Sequence, residues 1–66
     1  MKNNIKVERA KKKWTQAELA EKIGVSRQAV NSIETAKFIP STLLAMKMAK
    51  VFDTTVEALF QLEISD

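Results

Sequence analysis

The chain contains no cysteine, histidine or tyrosine, and it has one glycine, one proline and one tryptophan among 66 residues. The lack of cysteine and histidine excludes disulfide bonds and the usual zinc sites, which often stabilise chains of this length. No apolar run approaches the roughly 20 residues of a membrane-spanning helix, and no apolar segment follows the basic N-terminus as in a signal peptide. We therefore expect one domain over residues 1–66, with no metal, cofactor or membrane contact, supported by its core or by oligomerisation.

Catalytic groups are also scarce. There is no glycine-rich phosphate loop, and no carboxylate pair remains once Glu18 and Glu57 are assigned to helix capping and helix-dipole roles. Without histidine, cysteine or tyrosine, the sequence lacks the usual nucleophiles and general bases. We therefore do not expect an enzyme.

Basic residues are concentrated in the first part of the chain. Residues 1–37 contain nine Lys/Arg and four Asp/Glu, a net charge of +5, whereas residues 38–66 contain two and four, a net charge of −2. The N-terminal part is therefore the candidate surface for a polyanion. The lysines at 11–13 also suit the last turn of a helix, where the helix dipole favours cations.

The apolar periodicity is helical throughout and predicts an all-α chain of five helices. The first covers Asn4 to Lys12, and the second begins at Thr15, where "TQAE" forms a capping box and Trp14 with Leu19 a hydrophobic staple. The fourth follows Pro40, and the fifth starts at Thr54 or Thr55 and runs to about Phe60. The tail "FQLEI" alternates like a short strand, which could pair with residues near Asn3 to Ile5.

A tight turn separates the second and third helices. Gly24 is the sole glycine and can adopt the left-handed conformation that ends a helix, and Ser26, two residues later, is a good N-cap. Such a short connection forces two helices to cross sharply. Residues 15–35 therefore have the layout of a helix-turn-helix.

The outward face of the third helix is polar without lysine or glutamate. It contains amides and hydroxyls at helical spacing, from Gln28, Asn31, Ser32 and Thr35. Asn, Ser and Thr have low helix propensity, so the residues on this face are not those that best stabilise a helix. Either it is ordinary polar surface, or it reads base edges in a DNA major groove, where Gln and Asn pair with adenine and Arg27 could pair with guanine.

The segment "TQAELAEKIGVSRQAVNSIE" resembles the helix-turn-helix of Cro/cI-type (XRE-family) transcriptional regulators. The segments "IKVERAKKKWTQ" and "PSTLLAMKMAKVFDTTVEALF" are similar to the other helices of its short, single-domain members, including cytolysin-operon-type repressors. The resemblance implies a compact five-helix, lambda-repressor-like DNA-binding domain. It further implies action at operator sites on the nucleoid, in the cytoplasm of a prokaryote.

The same resemblance implies roles for individual residues. The family reads bases or adjacent phosphates at the positions of Ser26, Arg27, Gln28, Asn31 and Ser32. Phosphate contacts fall at Gln16, Thr35 and Lys37, and a structural ion pair falls at Arg9 and Glu34. Three positions depart from the family. Ala36 and Asp53 stand where glycine is usual; if the backbone there has positive φ, Ala36 is strained. Glu8 stands where relatives often have an apolar residue, so we expect the first helix to be less deeply packed.

The function we expect is sequence-specific binding of double-stranded DNA by a homodimeric regulator, a repressor, acting on a palindromic operator without a small-molecule ligand. One recognition helix reads too few base pairs, and a dimer reading two half-sites solves this. The expected dimer surface consists of Phe38, Ile39, Phe60, Leu62 and Ile64, although ordinary core packing is an alternative for these residues. The alternative function is a DNA-binding antitoxin or protein-partner-binding module.

Overall fold

The computed structural model describes residues 1–66 and confirms an all-α chain with a short C-terminal strand. Five helices account for most of the chain, and two two-residue strands pair near its ends. The elements in chain order are β1 (Lys2–Asn3), α1 (Ile5–Lys12), α2 (Gln16–Ile23), α3 (Arg27–Glu34), α4 (Thr42–Val51), α5 (Val56–Leu59) and β2 (Phe60–Gln61). None of the helices has the length and apolarity needed to cross a membrane.

Hydroxyl side chains begin four of the five helices. The capping box at α2 is confirmed, because Thr15 Oγ1 accepts from the Glu18 N–H while the Glu18 carboxylate accepts from the Thr15 N–H, both at 3.1 Å. Ser26, Ser41 and Thr55 cap α3, α4 and α5 by accepting one backbone N–H each, without the reciprocal bond of a capping box. Each such cap contributes about 1 kcal/mol to helix stability.

Left-handed residues follow four helices. Gly24 has φ 75° after α2, as its position predicted. Non-glycine residues adopt the same conformation after α1, α3 and α4, namely Lys13 (φ 61°), Ala36 (φ 61°) and Asp53 (φ 55°). This backbone conformation costs an L-residue roughly 1–2 kcal/mol, although Asp tolerates it better than Ala. The strain expected at Ala36 is therefore present. The left-handed conformation of Lys13 is not indicated by any feature of the sequence.

One hydrophobic core joins the helices. Eleven buried apolar residues form it, namely Ile5, Leu19, Ala20, Ile23, Val30, Ile33, Ala45, Met48, Phe52, Leu59 and Phe60. Trp14 packs against its edge and stacks on Phe52 with ring centroids 5.5 Å apart, while Lys22 Nζ lies 4.6 Å above the indole. All of the fully buried residues are apolar, so apolar packing is the main interaction that holds the helices together.

The two ends of the chain meet in an antiparallel ribbon. Lys2 lies opposite Gln61, and Asn3 lies opposite Phe60. The Asn4 N–H extends the contact by donating to the Leu59 carbonyl at 2.9 Å. The predicted pairing of the tail is therefore confirmed, with the N-terminal strand at Lys2–Asn3 and with Ile5 already inside α1.

Candidate nucleic-acid interface

The turn between α2 and α3 fixes how α3 lies on the molecule. The N–H groups of Gly24 and Val25 both donate to the Ala20 carbonyl, which closes the end of α2 tightly. The inner face of α3 then places Val30 and Ile33 in the core, with almost no exposed surface. The opposite face of α3 is consequently turned to solvent.

Three of the predicted base-reading side chains are free on this outer face. Arg27, Gln28 and Asn31 are exposed. Their side chains take no part in the hydrogen bonds or ion pairs within the chain. Their guanidinium and amide groups therefore remain available to an external partner.

The two serines of the predicted set lie at different depths. Ser26 is exposed, and its Oγ accepts from the Ala29 N–H at 3.1 Å. A hydroxyl that accepts can still donate its own proton, so Ser26 caps α3 and keeps a donor for a ligand. Ser32 is half-buried and lies on the margin of the outer face.

The hydroxyl of Thr35, unlike the side chains of Arg27, Gln28 and Asn31, already makes a hydrogen bond within the chain. It donates to the Asn31 carbonyl at 2.8 Å, within the last turn of α3. A phosphate oxygen needs a donor, and a hydroxyl has only one proton to give. Thr35 would therefore have to give up its bond to Asn31 before donating to a phosphate.

The electrostatics of α3 favour an anionic partner. Its first turn carries Arg27 and no acidic residue, at the helix end where the backbone dipole is positive. Its one acid, Glu34, is held by Arg9, with Nε–Oε2 and Nη2–Oε1 distances of 2.8 and 3.2 Å. The Glu34 side chain is only 6% exposed. The outer face therefore presents no unpaired negative charge.

The carboxyl end of α3 is held from two other elements. Arg9 Nη1 donates to the Trp14 carbonyl at 2.9 Å, so the Arg9–Glu34 pair also fixes the connection between α1 and α2. Asn3 Nδ2 donates to the Ile33 carbonyl at 3.0 Å. No local sequence pattern indicates this role of Asn3, because its partner lies thirty residues away along the chain.

The remaining predicted phosphate contacts lie at the two ends of the helix-turn-helix. Gln16 is half-buried at the first position of α2, directly after the capping Thr15. Lys37 is exposed and follows the left-handed Ala36, and its N–H donates to the Ser32 carbonyl at 2.9 Å. These two residues therefore flank α3 on the chain.

The predicted dimer residues divide into an exposed set and one buried residue. Phe38, Ile39, Leu62 and Ile64 are exposed. Phe60 is only 8% exposed, because its pairing with Asn3 in the ribbon turns its ring into the core. The ring of Phe60 therefore offers a partner little surface. The loop and tail lie together, since Phe38, Ile39 and Asp66 line one hollow of about 210 Å³.

Residues 5–59 of the chain match the model of a known protein family, described as "Helix-turn-helix". Similar chains include an uncharacterized HTH-type transcriptional regulator, YgzD, of Bacillus subtilis, 44% identical over 96% of both chains. An uncharacterized HTH-type transcriptional regulator of Methanocaldococcus jannaschii is 48% identical over 91% of both chains. One of Archaeoglobus fulgidus is 45% identical over 91% of this chain and 86% of its own.

Proposed function

Because the chain belongs to the XRE-type helix-turn-helix family of DNA-binding regulators, we propose that it binds specific sites on double-stranded DNA as a homodimer and represses transcription there. The observation that carries this proposal is the outer face of α3. Arg27, Gln28 and Asn31 are exposed there, and their side chains make no hydrogen bond within the chain. A helix bearing such groups fits the major groove, which is wide enough to admit it.

Base reading in this proposal comes from the first two turns of α3. Gln28 and Asn31 can each form a bidentate pair with adenine, and Arg27 can form one with the N7 and O6 acceptors of guanine. Ser26 at the cap and Ser32 at the margin supply single hydrogen bonds to bases or adjacent phosphates. The amino end of the recognition helix meets the bases in this motif, which favours residues 26–28 as the main readers.

Phosphate contacts in this proposal come from residues flanking α3. Lys37 supplies a positive charge from an exposed loop, and Gln16 supplies an amide donor at the amino end of α2. Thr35 contributes only if its hydroxyl exchanges the Asn31 carbonyl for a phosphate oxygen. Such contacts fix the register of the protein on the duplex and carry no sequence information.

The dimer in this proposal is built from the exposed loop and tail. This end of the molecule exposes four large apolar side chains, those of Phe38, Ile39, Leu62 and Ile64. Burying them in an interface removes apolar surface from water, which is favourable. Two copies related by a two-fold axis present two α3 helices to half-sites one helical turn apart, about 34–36 Å. Occupancy of an operator that overlaps a promoter is then sufficient for repression.

The test is selection of bound sites from random duplex DNA at about 0.15 M salt, because affinities for DNA depend strongly on salt. The proposal predicts a palindrome whose half-sites are one turn apart. Analytical ultracentrifugation of the complex is expected to give two chains per duplex. Recovery of unselected sequences, or of one unrepeated site bound by one chain, would contradict the proposal, and a transcription assay with the selected site tests repression separately.

A further inference from the structure

The helix α4 carries a second apolar face besides the one in the core. Ala45, Met48 and Ala49 are buried, whereas Leu43 and Met46, one turn apart, are 65% and 59% exposed. With Val56 of α5 these two side chains line an open groove of about 440 Å³ between the helices. Single exposed apolar residues are ordinary on protein surfaces, whereas adjacent ones that line a groove are a candidate contact surface for another molecule.

The charges around this groove have one sign. Lys47 and Lys50 are the charged residues that line it, and no acidic residue does. Both are exposed, and neither takes part in an ion pair within the chain. The groove therefore combines an apolar floor with an uncompensated basic rim.

We propose that the α4–α5 groove binds an acidic amphipathic helix of a partner protein. Leucine-like side chains at helical spacing on that helix pack against Leu43, Met46 and Val56, and flanking carboxylates pair with Lys47 and Lys50. Met46 suits such a floor, because its flexible thioether adapts to different side chains. Complementary charge sets the orientation of the helix and accelerates the encounter.

A second copy of this chain fits the groove poorly. Two-fold packing of the groove on itself places the lysine rim of one copy against the lysine rim of the other. The apolar and acidic tail of a second copy is already engaged, because Glu63 and Asp66 lie 3.2 and 3.1 Å from that copy's own N-terminal ammonium. Charge complementarity therefore favours an acidic segment from another protein.

The groove is also separate from the surface that we assign to DNA. None of its lining residues lies in the helix-turn-helix, because all of them belong to α4, α5 or the connection between these helices. A partner seated there leaves Arg27, Gln28 and Asn31 free. The regulator can consequently hold DNA and the partner at the same time, and this inference does not depend on how α3 reads bases.

The test uses a synthetic amphipathic peptide with leucines at i, i+3, i+4 and i+7 and glutamates flanking them. Titrated into the full chain, it is expected to shift amide resonances in α4 and at Val56. Replacing both Lys47 and Lys50 by Glu is expected to weaken binding about tenfold, because two exposed ion pairs become repulsions. The same variant is expected to gain affinity for a peptide with lysines in place of the glutamates.

The matched control replaces Lys6 and Lys12 of α1 by Glu, which changes the net charge of the chain by the same amount as the Lys47→Glu, Lys50→Glu variant. This control is expected to leave peptide binding unchanged. Circular dichroism verifies that each variant is folded. Absence of binding at about 1 mM peptide, or equal binding of the acidic and basic peptides, overturns the proposal.

Two further outcomes would overturn the proposal by identifying another occupant. If Met46→Ser dissociates the homodimer in analytical ultracentrifugation, the groove belongs to the interface between copies of this chain. If the Lys47→Glu, Lys50→Glu variant loses affinity for random duplex DNA, the two lysines belong to the DNA surface. The proposal predicts that both properties remain as in the unaltered chain.

Discussion

Arg9 and Glu34 form a bidentate ion pair that joins α1 to the last turn of α3, at 2.8 and 3.2 Å. The side chains are 18% and 6% exposed, so the pair is largely shielded from water. A shielded pair gains little relative to apolar packing, but the loss of one partner leaves the other charge unpaired. The pair therefore fixes where α3 lies more than it adds to stability.

Removal of one partner of this pair is expected to be severe. Glu34→Ala is expected to lower the free energy of unfolding by about 2–3 kcal/mol, because the largely shielded Arg9 guanidinium loses its charged partner. Urea unfolding followed by circular dichroism measures this change. The matched control is Glu8→Ala at the Glu8–Lys11 pair, 3.0 Å apart, where a loss below about 1 kcal/mol is expected because the remaining Lys11 charge is 68% exposed and stays hydrated. Equal losses from both substitutions would contradict the role of the shielded pair.

Ala36 is the site of a stabilising substitution. Its φ of 61° is comfortable for glycine and strained for alanine. We expect Ala36→Gly to raise the free energy of unfolding by about 1 kcal/mol. In Ala17→Gly, at an exposed helical position of α2, the same chemical change is expected to lower it by roughly 0.5–1 kcal/mol. Thermal unfolding of both variants measures the contrast, and a decrease at position 36 would show that no strain is relieved there.

The C-terminal tail is expected to dock within a limited pH range. Hydrogen bonding to Asp66 raises the pKa of the Met1 ammonium above its ordinary 8.0. The stabilisation of the docked tail by this ammonium is therefore fully present below about pH 8 and is lost as pH rises through the raised pKa. The Glu63 N–H, and then that ammonium, lower the pKa of Asp66 below 3.8. The contribution of Asp66 is present above about pH 3.8 and is lost as pH falls through the lowered value.

Nuclear magnetic resonance of the 66-residue chain measures this range. The Glu63 amide donates to the Asp66 carboxylate at 2.8 Å, so its resonance is expected to titrate with the lowered pKa of Asp66. Asp66→Asn is expected to abolish that titration, and Asp53→Asn serves as a control that preserves it. A Glu63 amide that titrates with the pKa of an unperturbed aspartate would show that the tail is undocked in solution.

Lys37 is expected to strengthen DNA binding through its positive charge without affecting which DNA sequence is preferred. Lys37→Ala is expected to weaken binding to all duplexes alike and to reduce the slope of log affinity against log salt by about one, because one fewer counterion is released. Lys50→Ala removes the same charge from the α4–α5 groove, and we expect it to leave the slope unchanged. Fluorescence anisotropy over a salt series provides both slopes. An unaltered slope in Lys37→Ala removes this lysine from the phosphate contacts.

The parts of the fold that sequence predicts well are those with local causes. The Thr15 capping box, the Gly24 turn and the Ser26 cap each depend on residues a few positions apart, so their patterns are readable in a single chain. The outward polar face of α3 follows from the same periodicity. The structure confirms these elements and their order.

Contacts between residues far apart in the chain could not be predicted in the same way, because no local sequence pattern indicates them. The hydrogen bond from Asn3 to the Ile33 carbonyl depends on the ribbon, which places Asn3 beside the end of α3. The same ribbon buries Phe60, whose apolar character alone suits a core and an interface equally well. The role of Thr35 depends on a hydrogen bond inside its own helix turn, which the residue type does not reveal.

The most direct test of the account measures Gln28→Ala on two duplexes at one salt concentration. On the site selected by the unaltered protein, we expect a loss of about 1–3 kcal/mol of binding free energy, with relaxed preference at one base pair. On random duplex DNA, we expect almost no change, because in the proposed complex the amide contacts base edges and no phosphate. Equal losses on the two duplexes, or no loss on either, would contradict the claim that the outer face of α3 reads sequence.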